Sequence, residues 1–152
     1  MTDLNIEHEI VIDAPVDVVW RTITEPDQIA RWFANRVELD ARPGGRGVLV
    51  FENENSDPQR YELFVETVDA PRRFAFRWCQ PVGEPAVAGN SLLVEFTLTA
   101  ENDERTRLRV VETGLDVIDW SDDDKAKHAG SHRDGWRGCG DRLSALLGAG
   151  TG

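Results

Sequence analysis

HRDGWRGCGDRLSALL, residues 132–147, has the apolar spacing of a helix and three glycines inside it, Gly135, Gly138 and Gly140. An interior glycine costs a helix about 0.5–1 kcal/mol relative to alanine, through backbone entropy and a missing side chain. At about 100° per residue, His128, His132, Gly135, Trp136, Cys139, Leu143 and Leu146 share one face. Arg133, Asp134, Arg137, Asp141 and Ser144 point the other way. Gly135 falls inside the apolar arc, with Gly138 and Gly140 at its margins. The inward face alternates bulk with absence of bulk. Such a helix either approaches its neighbour very closely or leaves space beside it.

Outward from this helix, Ser121 and the run Asp122–Asp124 supply an N-cap and negative charge at its positive end. At the other end of the chain, residues 6–13 (IEHEIVID) set Ile6, His8, Ile10 and Ile12 against Glu7, Glu9, Val11 and Asp13. That period of two marks a half-buried strand. In DAPVDVVWRTI, Asp13 is a candidate cap, Pro15 suits a first turn, and Val16, Val19, Trp20 and Ile23 recur at helical spacing. TEPDQIARWF restarts the pattern, with Thr24 as cap, Pro26 in the first turn and Ile29, Trp32 and Phe33 on the apolar side. Strands are then expected at 36–40, 47–52, 60–68, 72–79, 91–100 and 106–114. The turns ARPGGRG, NENSDP and ENDE, and the longer connector QPVGEPAVAGN, separate them.

One strand, two short helices, six strands and a long helix make an α+β chain, an antiparallel sheet with the long helix on one face. Consecutive strands joined by short turns tend to be neighbours, and the sheet twists and curls. One helix cannot fill the whole concave side of a curled sheet. The glycines therefore either hold part of that concavity open or let the helix backbone reach the sheet.

A chain of 152 residues suits a single domain over 1–152, with an ordered core of about 6–147 and a short C-terminal tail. A formal charge of −11 argues against phosphate backbones and anionic lipid surfaces as partners. All but Lys125 and Lys127 of the 17 basic residues are arginine, and they are scattered. No apolar run approaches the roughly 20 residues of a membrane span, and MTDLNIEHE lacks the order of a signal peptide. A cytoplasmic address is expected. Cys79 and Cys139 form no CxxC pattern and read as free, buried thiols in a reducing compartment.

The stretches IDAPVDVVWRTITEPDQIARWF, RVELDARPGGRGVLVF and HRDGWRGCGDRL resemble the START-like, or SRPBCC, superfamily. More narrowly, they resemble its bacterial branch related to the C-terminal domain of the activator of the ninety-kilodalton heat-shock protein ATPase. The likeness runs over roughly residues 6–147. It implies a helix-grip fold, in which a seven-stranded curved antiparallel sheet with two short helices grips a long C-terminal helix over an internal cavity. Members bind lipids, hormones and polyketides, and some are cyclases, hydrolases or co-chaperones. The likeness thus narrows fold more than chemistry. No docking surface for a chaperone is identifiable in the residues.

Ligand pockets are mainly apolar with a few placed polar groups. Trp32, Phe33, Trp78, Phe96 and Trp136 are the candidate aromatic walls, His132 the polar group and Gly135 the gap. Phe74, Phe76 and Trp78 share one strand face, so at least one of them borders any space. Trp20 reads as ordinary core. His128 and His132 with Cys139 have a spacing that presents two imidazoles and a thiolate to a metal, though a further ligand would have to come from the sheet. The glutamate of an HExxH motif is missing, and no metal is expected. Glu62, Glu95 and Glu112 lie on strands whose facing the sequence leaves open; any of them facing inward could work with His132 in a proton transfer or hydration on a bound ring, although strand glutamates more often meet water. There is no GxSxG elbow, and Cys139 lies about 10 Å along the helix from His132, too far for direct activation. RPGGRG is a hairpin turn, not a phosphate loop, and DWSDDDK is a capped helix start, not a calcium loop.

No catalytic residue, metal ligand or cofactor is assigned. The leading expectation is intracellular binding of a small hydrophobic, aromatic or amphipathic molecule, lipids included, between sheet and last helix. The alternatives are a cyclase, hydratase or hydrolase using the same cavity, and a co-chaperone-like or regulatory interaction module. Nucleic acid and membrane spans are excluded as partners, and a homodimer is compatible with all three. An exposed patch around Trp120 would favour the interaction module.

Overall fold

A computed structural model describes residues 5–53, 56–81 and 83–148. Strand β1 (Ile6–Ile12) leads into helices α1 (Val16–Thr24) and α2 (Pro26–Ile29). Six strands follow: β2 (Arg36–Leu39), β3 (Arg46–Asn53), β4 (Ser56–Asp69), β5 (Arg73–Trp78), β6 (Leu92–Asn102) and β7 (Arg105–Thr113). Helix α3 (Asp122–Leu147) closes the fold. The strands form one antiparallel sheet in the order β1-β7-β6-β5-β4-β3-β2. Each hairpin joins neighbours, and β1 closes against β7. This is the curved sheet and long helix expected from the sequence.

Local differences have local causes. Asp13 does not cap α1; Pro15 occupies that position without a side-chain hydrogen bond. Thr24 ends α1 instead of capping α2, and its hydroxyl donates to the Trp20 carbonyl at 2.7 Å. β4 begins at Ser56, inside the stretch expected to turn, because β3 and β4 pair from Arg46↔Phe64 out to Asn53↔Ser56. Ser121 caps α3 as expected, accepting the Asp124 N–H at 3.1 Å.

Register aligns the inward residues into rows. Ile6, Glu112, Val94, Phe76 and Val65 are successive neighbours across five strands. The adjoining row carries His8, Val110, Phe96, Phe74 and Val68. The opposite face of the sheet carries ion pairs, among them Arg107–Glu9, Arg109–Glu7 and Arg73–Glu95. Exposed pairs contribute about 0–1 kcal/mol each, so the apolar inner face sets the facing of the sheet. The core lies between that inner face and the helices, with α3 running against β1 and α1 against β6 and β7.

Candidate functional site

The interface between α3 and the sheet divides into two halves. Toward the C-terminal half of α3, a Cβ on Gly140 would lie 2.8 Å from His8 Nε2 and 3.3 Å from Ile10 Cγ2. Helix backbone therefore rests directly on β1. Trp32, Phe96, Trp136 and Leu143 fill the rest of that region and leave a void of about 10 Å³, no more than one water needs. Arg142 Nε donates to the Trp32 carbonyl at 2.6 Å and ties α3 to the segment after α2.

One turn earlier on α3 the same interface stays open. A cleft of about 280 Å³ is lined by Phe33, Phe51, Tyr61, Trp78 and Trp136, with Gln59, Ser131, His132, Gly135, Cys139 and Arg142 completing the wall. A Cβ on Gly135 would meet nothing within 4 Å among the described residues. The two uses of glycine foreseen for this helix both occur, at different positions. Phe33, Trp78, His132, Gly135 and Trp136 are brought together around the cleft. Trp32 and Phe96, expected among its walls, lie in the closed half instead. Trp32 stacks on Phe33 at 5.2 Å and donates its indole N–H to the Thr22 carbonyl at 2.8 Å, which turns it away from the opening. Phe96 meets Trp136 edge-on at 5.7 Å, beneath the cleft floor.

Behind three residues of the cleft wall sits Glu112, 1% exposed in an otherwise apolar row. Its Oε2 accepts the Trp78 indole N–H at 2.7 Å, and its Oε1 accepts that of Trp136 at 3.1 Å. His132 Nδ1 lies 2.6 Å from Oε1. A carboxylate that accepts from two indoles takes the acceptor role toward the imidazole as well, so His132 Nδ1 donates, and in the neutral ring Nε2 carries the lone pair. The ring is thereby fixed in one tautomer. Buried polar groups left unpaired are expensive, and this network spares two tryptophans and one histidine that cost.

Around His132 the pattern continues. His128, one turn earlier, packs at 3.6 Å between ring centroids, and Trp120 covers it at 5.0 Å. Burial, reinforced by His132 and opposed by Glu112, pushes the His128 pKa down to about 4. Its Nε2 is buried with no hydrogen-bond partner among the described residues. Cys79 follows β5 with φ +69°, a left-handed conformation rare for a side-chain-bearing residue. Its Sγ and one ring nitrogen from each of His128 and His132 all lie within 4.8 Å of one another. Burial, and secondarily the Glu112 charge, holds the Cys79 thiol above the usual range. Cys139, grouped with the histidines by sequence spacing, faces Arg142 instead, 3.4 Å from Nη2. Trp120 spends its ring on His128 and is half-buried.

Several wall residues were missed by sequence reasoning, although the signal was present. Tyr61 has the parity of Leu63 and Val65, and Phe51 that of Leu49. Glu112, one of the three strand glutamates whose facing the sequence left open, is the one that turns inward toward His132, with the parity of Thr106, Leu108 and Val110, all buried. Val111 beside it blurs the alternation. Glu95 and Glu62, by contrast, pair with Arg73 and Arg60. Nothing local in the sequence announces Arg142, which reaches the cleft from the margin of the helix face.

The fold has counterparts among solved structures. MLL2253 of Mesorhizobium loti is similar at 22% identity and a TM-score of 0.74, over 94% of this chain and 96% of that one. CalU16 of Micromonospora echinospora is similar at 25% identity and a TM-score of 0.62, over 94% and 78%. Aha1 of Colwellia psychrerythraea, described as a dimer in solution, is similar at 18% identity and a TM-score of 0.70, over 100% of both chains. Comparison with curated proteins gave no match. No helix among the described residues is long and apolar enough to cross a membrane. The profile of Activator of Hsp90 ATPase homolog 1-like proteins matches residues 13–148, and the chain belongs to that family.

Proposed function

We propose that this protein binds a small aromatic or amphipathic molecule in the cleft between α3 and the concave face of the sheet. The observation that carries this reading is the 280 Å³ opening walled by five aromatic rings, in an interface otherwise closed to about 10 Å³. Its volume is near the lower end of the roughly 300–1,000 Å³ typical of small-molecule sites. A compact ring system fits better than an extended lipid chain. Its polar points are the Tyr61 hydroxyl and the Arg142 guanidinium, which donate, and His132 Nε2, which accepts, and together they suit a guest carrying both a hydrogen-bond acceptor and a donor. The two free thiols agree with a cytoplasmic protein, and the dimeric Colwellia relative supports a homodimer, which size-exclusion chromatography with light scattering would read.

The test is native mass spectrometry of the protein as expressed, followed by a thermal-shift screen of aromatic acids, phenols and fatty acids. A retained guest or a raised Tm is expected for wild type, and neither for Gly135→Leu. That substitution fills the cleft from a helical position with open space around it. Ligand stabilisation undiminished in Gly135→Leu would refute the cleft as the site.

A second reading, proton transfer on the bound guest, is favoured by the Glu112–His132 pair. A buried carboxylate fixing an imidazole tautomer is the arrangement of a general base. His132→Gln, with retained binding and lost turnover of a bound substrate, is its expected signature.

A further inference from the structure

We propose that Cys79, His128 and His132 form a site for a thiophilic divalent cation, with Zn²⁺ as the best fit and Glu112 as the positioning residue behind it. The site does not depend on the cleft holding an organic guest.

The ligand atoms already converge. Sγ of Cys79 and one nitrogen of each imidazole lie within 4.8 Å of one another. Tetrahedral zinc with bonds of about 2.0–2.3 Å needs its ligand atoms about 3.5 Å apart. Side-chain rotations of about an ångström close the difference.

Three independent features point the same way. His132 donates Nδ1–H to the buried Glu112, which leaves Nε2 as the coordinating atom. Carboxylate–histidine–metal relays of this form raise ligand basicity and fix ring orientation. His128 Nε2 is buried and unpartnered among the described residues, and in the Nδ1–H tautomer it presents a lone pair that a cation would satisfy. Cys79 holds a left-handed backbone that a cysteine adopts only against strain, and strained positions of this kind cluster at ligand sites. In an extended strand Cys79 would alternate away from Trp78. The left-handed turn is where that alternation breaks, next to both histidines.

The charges also close. An incoming divalent ion displaces the thiol proton to solvent, and thiolate plus the Glu112 carboxylate cancel the two positive charges. A thiolate and two imidazoles select zinc, or cobalt as its spectroscopic substitute, over magnesium and calcium. Three protein ligands leave a fourth position for water or a donor atom of a guest, the pattern of a reactive zinc centre. Because the ion takes His132 Nε2, the metal-bound form excludes that nitrogen as a general base.

The test uses the metal-free chain and Co²⁺ or Zn²⁺ alone. Titration with Co²⁺ is expected to give one ion per chain and a near-ultraviolet thiolate-to-cobalt charge-transfer absorption. Cys79→Gly removes the thiol while suiting the left-handed backbone, so it should fold with an unchanged or higher Tm and give no such absorption. His128→Gln should weaken binding at least tenfold. Glu112→Gln should keep the absorption with about 10–100-fold lower affinity, the range for lost carboxylate partners of metal-bound histidines. Absence of the absorption in folded wild type, or its persistence in Cys79→Gly, overturns the site. Cys79 is not among the residues lining the cleft, so guest stabilisation retained in Cys79→Gly separates failure of this site from failure of the cleft.

Discussion

The two halves of the α3 interface are built by opposite means. Toward the C-terminus, helix and sheet meet through shape: Gly140 lies on His8 and Ile10, Leu143 is buried, and almost no space is left. Toward the N-terminus, the surfaces stand apart, and hydrogen bonds to one buried carboxylate hold the walls in place. A contact made by shape leaves little room for extra atoms. A space held by a polar network tolerates extra atoms but not the loss of its hub. The same helix thus carries two glycines with opposite sensitivities.

Substitution can break this contrast, most severely at the hub. Glu112→Leu strips two indoles and an imidazole of their acceptor and should cost about 3–5 kcal/mol in denaturant unfolding. A loss under about 1 kcal/mol would mean that packing alone holds the open half. Gly140→Leu should destabilise by about 3 kcal/mol, since its side chain must displace β1 residues from the helix. Gly140→Ala should cost no more than about 1 kcal/mol, because the tip of His8 can move, the Ile10 methyl has to give only slightly, and alanine restores helix propensity. Gly135→Leu is expected to gain about 0.5–1 kcal/mol on propensity alone. Destabilisation on the scale of Gly140→Leu would erase the distinction between the halves.

The smallest effect lies at the boundary. Cys139 touches both spaces, and burial, partly opposed by Arg142, pushes its thiol up to about 11. A raised thiol pKa keeps the unreactive protonated form through the range where a free cysteine ionises. In a Cys79→Gly background, iodoacetamide at pH 8 should label the unfolded chain and spare the folded one. Native labelling should rise only as the pH nears 11. Rapid native labelling at pH 8 would show that the closed half breathes open.

Element order, the sheet and the helix face were legible because alternation and helical spacing are local signals. Phe33, Trp78, His132 and Trp136 followed from them. Trp32 and Phe96 belong to the same aromatic cluster, but which half of an interface a ring fills depends on strand register and helix tilt. Glu112 had the right parity all along. Frequency argued against it, since carboxylates rarely face a core, and its acceptor role needs indoles from β5 and α3 that only the tertiary fold supplies. Cys79 was invisible for another reason: its direction comes from one left-handed residue at a strand end, which no period encodes.

The Asp13 N–H donates to the Gly148 carbonyl at 2.9 Å, bonding the end of α3 to the end of β1. With Arg142 and Gly140 nearby, the C-terminal root of the last helix is clamped by backbone and close contact, whereas its N-terminal half is tied to the sheet through side chains that meet Glu112. Along 26 residues, about 39 Å of helix, a tilt of about 5° at the root swings the tip by about 3 Å. A swing of that size would break the bonds of His132 and Trp136 to Glu112, so one carboxylate sets the angle of the whole rod.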